Sequence, residues 1–152
     1  MVAFEDVARA VLDENRYVVL GTADGEGRPW VSPVFYTLSG YREVVWMSSP
    51  EARHSRNLAE RPDVSLVVYD SSLPVGEPAA VYMSGVAAEV TGSAVAEIAA
   101  AYGEAALPKG GRRVRIEEVT GDGIYRMYRA TIREHWILDP DSRPDGRAPI
   151  TL

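Results

Sequence analysis

The sequence predicts a mainly β fold of the α+β class, a single domain over residues 1–152 built as a closed or partly closed antiparallel barrel of six strands with flanking helices. Two observations carry that prediction. Short apolar runs with strand-like alternation are separated by Gly, Pro and Asp clusters, while helical spacing is confined to three stretches. Most connections are also too short for the crossovers that a parallel sheet requires.

Phe4, Val7, Ala8, Val11 and Leu12 recur at helical spacing, with Glu5, Asp6, Arg9 and Glu14 on the opposite face, so an amphipathic helix opens the chain and packs on the barrel. A hairpin follows: Tyr17 to Ala23, a turn at Asp24-Gly25-Glu26-Gly27, and an extended run from Pro29 to Leu38. Its glycines have the wrong spacing for a dinucleotide fingerprint, and a strand rather than a helix comes next. Pro33 cannot donate to a ladder, which places this second strand at an edge, at a bulge or beside a bound group. Val44 to Met47 form the third strand and Val64 to Tyr69 the fourth; Asp70 to Pro78 read as a loop, and Ala79 to Val90 as the fifth strand. Ser93 is the expected cap of a helix that Gly103 ends, and Lys109 to Arg113 form a basic turn read as a solvated loop. Ile124 to Ala130 and His135 to Leu138 make the last β region, ahead of a tail from about 139 to 152.

Composition narrows the function. A hydrophobic fraction of 46% and a charged fraction of 25% are those of an ordinary globular domain. The net charge of −6 argues against nucleic acid, whose phosphates demand a basic face. The absence of cysteine excludes disulfides, thiol catalysis and thiolate metal sites. No apolar run reaches membrane-spanning length, so no membrane partner is expected and a cytoplasmic protein is the default. His54 and His135 are too far apart for a recognisable metal pair, and no Gly-x-Ser-x-Gly turn supports a hydrolase.

The stretch Ser48-Ser49-Pro50-Glu51-Ala52-Arg53-His54-Ser55-Arg56-Asn57-Leu58 carries the strongest chemical signal. Ser49 is the expected N-cap and Pro50 the first residue of a helix over Glu51–Glu60. Cations are normally disfavoured at a helix start, yet Arg53, His54 and Arg56 all stand there. A phosphate seated on that start would account for them, with Ser48 and Ser49 adding hydroxyl donors; solvated surface arginines are the plainer alternative. With no acid, base or nucleophile standing out, a bound cofactor is the expected carrier of any reaction.

Gly27-Arg28-Pro29-Trp30-Val31-Ser32-Pro33-Val34, the strand from Val44 to Ser48, Arg53-His54-Ser55-Arg56-Asn57-Leu58 and Pro62-Asp63-Val64-Ser65-Leu66-Val67 together resemble the FMN-binding split-barrel, pyridoxamine 5′-phosphate oxidase-like family. The match is good over about Val18 to Asp70 and weak beyond. The resemblance implies a split β-barrel that binds FMN, a homodimer with cofactor sites at its interface, and hydride transfer between a small-molecule substrate and the flavin. It implies that the ring lies along the second strand from Ser32 to Thr37, with Ser32, Pro33, Val34, Phe35 and Met47 among the cofactor contacts, and that Ser48, Ser49 or Ser55 supplies the phosphate with a hydroxyl, the family's serine position being Ala52. Arg53 and His54 would take the phosphate, His54 in place of the family's lysine, and Trp136 resembles a tryptophan reaching across the dimer. The oxidase's arginine and lysine fall at Ser32 and near Thr37 and are missing, so a changed substrate is expected. F420 in the same groove is an alternative cofactor. A non-catalytic protein that binds flavin, or haem through His54 or His135, is another reading, as is a dimeric module with an empty groove.

Overall fold

The computed structural model describes residues 2–77 and 79–152, so Pro78, which the sequence assigns to a loop, lies outside the described residues. Its elements are α1 (Phe4–Glu14), β1 (Tyr17–Ala23), β2 (Pro29–Phe35), β3 (Thr37–Ser39), β4 (Glu43–Ser48), α2 (Arg53–Glu60), β5 (Asp63–Tyr69), β6 (Ala80–Glu89), α3 (Ala94–Ala106), β7 (Arg126–Leu138) and β8 (Arg147–Ile150). Every pairing is antiparallel, in the order β2-β1-β5-β6-β7-β4-β3 with β8 beside β7. The sheet is therefore the antiparallel split barrel that the sequence predicts, with eight strands among the described residues in place of six.

Two differences explain the count. The run from Pro29 to Leu38 breaks at Tyr36: β2 pairs with β1, whereas β3 pairs with β4 at the far end of the sheet. The tail also supplies β8, which pairs with the second half of β7. Because β2 and β3 are the two edges of the sheet and are separated by one residue, the sheet has to roll until its edges meet at Tyr36. Pro33 sits on an edge strand, as its missing donor requires. The two segments expected in the last β region are one strand, β7, carried past an irregularity in its pairing with β6 between Ser84 and Gly85.

Apolar alternation fills the inside of the roll with Val18, Leu20, Tyr36, Val44, Trp46, Leu66, Val68, Val81 and Ile132. The buried face of α1, Ala8, Val11 and Leu12, closes this core against β5 and β6. Phe4 departs from the expected packing and stays exposed as the first residue of the helix, outside the buried face formed by Ala8, Val11 and Leu12. A second core lies under α3 and joins Val45, Val90, Val95, Ala99, Tyr102, Val119 and Met127. Gly103 does not end α3, which continues to Ala106; it lies against the backbone of Arg113 and Val114, where a Cβ would come within 3.0 Å of Arg113 Cα. Ser93 precedes α3 without a side-chain capping bond. Among the described residues no helix is long and apolar enough to cross a membrane.

The β6–β7 irregularity depends on one residue. A Cβ at Gly85 would fall onto the carbonyl oxygen of Thr131, whereas one at Gly21 would make an ordinary contact with Ser65 O at 3.5 Å. Gly85→Ala is expected to lower the melting temperature by several degrees, the response to a loss of about 1–3 kcal/mol from overpacking. Gly21→Ala serves as the control and should leave it nearly unchanged; equal melting temperatures for the two variants would refute the close approach.

Candidate functional site

The segment between β4 and α2 is tied by its serines. Ser49 Oγ accepts from the Glu51 amide at 3.1 Å, and Ser49 O accepts both the Ala52 amide at 3.2 Å and the Ser55 hydroxyl at 2.7 Å. These bonds hold Pro50 and Glu51 in a turn, so α2 starts at Arg53 rather than Glu51, with Ala52 and not Ser49 at the N-cap position. Ala52 has no side-chain acceptor, which leaves the first amides of α2 without a side-chain cap. Asn57 fastens the helix to the sheet: buried, it donates through Nδ2 to Thr22 Oγ1 at 3.1 Å, and that hydroxyl donates to Trp30 O at 3.3 Å.

This anchoring turns the residues of α2 in different directions. Arg53 and Arg56 are exposed and open onto a cavity of about 380 Å³, bounded also by Asp24, Arg28, Pro29, Trp30, Asn57 and Glu60. Arg53 stacks its guanidinium over the Trp30 ring, 4.3 Å from the centroid. Arg28 is occupied by Asp24 at 3.0 Å and by Glu26, while Arg53 and Arg56 form no ion pair among the described residues. Three guanidiniums face two carboxylates, an excess of one positive charge. Two arginines without carboxylate partners and an uncapped helix start suit a phosphate group.

His54 turns the other way. Its Nε2 shares a hydrogen bond of 2.9 Å with Ser48 Oγ, and burial holds its pKa below the ordinary 6.5, so the imidazole is neutral near pH 7. The arginine cavity thus pairs Arg53 with Arg56, and not with His54 as the sequence suggests. Among the other candidates, Ser32 is half-buried, Pro33 exposed, and Val34 packed into the barrel interior. Phe35 is held edge-on between Tyr17 and Tyr102, with ring centroids 6.2 Å apart on each side, and together with Met47 it packs on the core beneath α3. Trp136 lies on β7, opposite Tyr82 and Pro149, and does not border the arginine cavity.

His135 is buried and its Nε2–H donates to the Tyr41 carbonyl at 2.7 Å. Desolvation lowers its pKa, against the raising effect of that bond. The basic turn is the expected solvated loop at Arg112 and Arg113, which are exposed, but not at Lys109, which is half-buried. Lys109 Nζ donates to Tyr36 O at 2.9 Å and lies 3.6 Å from the Tyr36 ring centroid, with burial pulling its pKa down to about 8. Arg112 pairs with Glu118 at 2.8 Å and Arg113 with Glu104 at 2.6 Å. Sequence reasoning missed the Trp30–Arg53 stack and the Asn57–Thr22 bond; a polar residue on the inward face of a short helix was the only signal for the latter.

The depressed histidines give stability a defined pH dependence. Above 6.5 both the folded and unfolded chains hold neutral imidazoles; below it the unfolded chain takes up protons that the folded chain refuses, so stability falls with pH until the folded pKa is passed. The urea midpoint is expected to drop between about pH 7.5 and about pH 5.5, and to drop less in His54→Gln. A midpoint that rises over that interval would contradict the buried neutral rings.

With this geometry in place, known proteins give it a context. The family profile described as pyridoxamine 5′-phosphate oxidase matches residues 4–135. The fold is similar to that of a heme binding protein from Mycobacterium smegmatis, with a TM-score of 0.73 and 25% identity over 99% of this chain; the chain spans 59% of that protein's length. It is similar also to HutZ, the heme storage protein from Vibrio cholerae, with a TM-score of 0.67 and 21% identity over 87% of this chain and 92% of the other. An F420 reductase shares the fold at a TM-score of 0.62 and 16% identity, over 84% of this chain and 94% of the other. No curated protein matches the chain by sequence. The profile match covers most of the sequence and includes β2, β4 and α2 together, so the chain belongs to the pyridoxamine 5′-phosphate oxidase family.

Proposed function

We propose that the chain binds FMN, with the phosphate at Arg53 and Arg56, and acts as a flavin-dependent oxidoreductase on a small molecule. The observation that carries this reading is the pair of arginines without carboxylate partners among the described residues, opening onto a cavity beside an uncapped helix start. Bound flavin would supply hydride transfer. The chain's own groups would hold the phosphate, position Arg53 against Trp30, and offer the free edge of β2 to a planar ring. His54, neutral and bonded to Ser48, would steady the end of β4 rather than add charge.

F420 is supported less well. Its acidic tail would call for free cations, and the nearest basic turn is spent on Tyr36, Glu104 and Glu118. Haem binding is the second reading, favoured by the 25% identity to the M. smegmatis heme binding protein over 99% of this chain. Against it, both imidazoles already have Nε2 engaged, by Ser48 and by Tyr41. The visible spectrum of the purified protein separates the two. In an FMN titration, Arg53→Ala is expected to weaken binding roughly ten- to a hundred-fold, the loss of a charged hydrogen bond, and more than Arg56→Ala. Glu60→Gln, which removes a carboxylate from the cavity, should tighten binding; no change in any variant would remove the phosphate from this cavity.

We propose also that two copies associate through the outer face of the sheet and share the cofactor sites. Registers place Pro33, Val19, Val67, Tyr82, Trp136 and Pro149 in one transverse apolar row across six strands, flanked by Val31 at 68% exposure. A second copy covering this row would bring Trp136 near a partner's site. Sedimentation is expected to show a dimer for the natural sequence and a monomer for Val31→Glu. A natural monomer that binds FMN stoichiometrically would defeat the shared site.

A further inference from the structure

Between α3 and the β3–β4 hairpin lies a second cavity, of about 260 Å³, which shares no lining residue with the arginine cavity. Leu38, Val45, Ile98 and Ala101 give it apolar walls, and Thr37 and Tyr102 add hydroxyls. Thr37 is only 3% exposed and Tyr102 only 7%, yet neither hydroxyl has a hydrogen-bond partner among the described residues. Neither is sealed from solvent, since the one fully enclosed orphan among the described residues is Trp46 Nε1. The cavity is the opening these two side chains line. Open to that cavity, the two hydroxyls are free to bond a guest that displaces its water.

The charged side chains are Glu43, Glu97 and Arg129. Arg129 lies 3.9 Å from Glu43, and Glu97 has no ion-pair partner among the described residues, so the cavity carries one excess negative charge. Glu97 also complements the start of α3, and it shares the cavity lining with Thr37 and Tyr102. We propose that this cavity binds a small ammonium ion with an apolar, arylalkyl body: the body against Leu38, Val45 and Ile98, the cation toward Glu97, and polar atoms within reach of Thr37. The ligand is small, since the volume lies below the roughly 300–1,000 Å³ of pockets that hold drug-sized molecules. The site is independent of any cofactor on α2.

The test uses the full chain and three probes of similar shape: phenethylammonium, neutral phenylethanol and anionic phenylpropanoate, titrated against backbone amide NMR signals. Saturable shifts with the ammonium ion, centred on residues 37–45 and 94–102, are expected, with weaker binding of the alcohol and none of the carboxylate. Glu97→Gln and Thr37→Val should each weaken the ammonium ion by about two- to five-fold, the range of an exposed charge pair or one hydrogen bond. The double variant Glu43→Gln, Glu97→Gln leaves Arg129 as the only charge and should reverse the preference toward phenylpropanoate. The proposal is overturned if the natural chain binds phenylpropanoate as tightly as the ammonium ion, if shifts do not saturate or fall elsewhere, or if the double variant keeps the original preference. The probe comparison on the natural chain decides the matter even if a variant does not fold.

Discussion

Tyr36 is the residue on which the rest of the molecule depends, because it is the one-residue passage between opposite edges of the sheet. Its position is fixed at every polar atom. The amide donates to Arg16 O at 3.2 Å, the hydroxyl to Leu12 O, and the carbonyl accepts from Lys109 Nζ. Burial holds the phenol well above its ordinary pKa, so it remains a donor. Two regions far apart in sequence, the end of α1 with its link to β1 and the turn after α3, thus converge on the place where the barrel closes. Closure is covalent at that place rather than by a ladder, which is why the barrel is split.

The arginine cavity depends on this closure at one remove. Rolling the sheet brings β1 and β2 beneath α2, and the bonds from Asn57 to Thr22 and from Thr22 to Trp30 set the rotation of the helix. That rotation sends Ser55, Asn57 and Leu58 inward and leaves Arg53 and Arg56 facing out. Buried polar side chains specify the orientation, and the exposed charges follow from it. The excess of one positive charge in the cavity is local, since the chain as a whole carries −6.

The general architecture was legible in the sequence because period-two alternation and turn residues are local signals, and β1, β4, β5, β6 and the helices fall close to where they are expected. The break at Tyr36 was not: Trp30, Ser32, Val34, Tyr36 and Leu38 keep one alternation through it, and only the change of partner from β1 to β4 reveals it. Lys109 misled for a related reason, since the two glycines that follow it resemble a solvent loop while the carbonyl that receives the ammonium lies 73 residues away. At the site, the cations of α2 were legible as a cluster, but which of them face one another depended on a helix start shifted from Glu51 to Arg53 by the hydroxyl of Ser55. A side-chain to backbone bond of that kind leaves no periodic trace.

The split has a kinetic consequence for β2. A strand laddered to one neighbour alone, β1, keeps half of its amides outside the sheet, and Pro33 removes a donor without weakening the pairing. Such a strand can breathe while the rest of the roll stays shut, since its C-terminal end is pinned by the fixed Tyr36 and its N-terminal end by a turn held through Asp24. Hydrogen exchange would then report β2 as a fast island between two slow anchors, a strand able to yield in the middle to a guest without loosening the barrel that bears it.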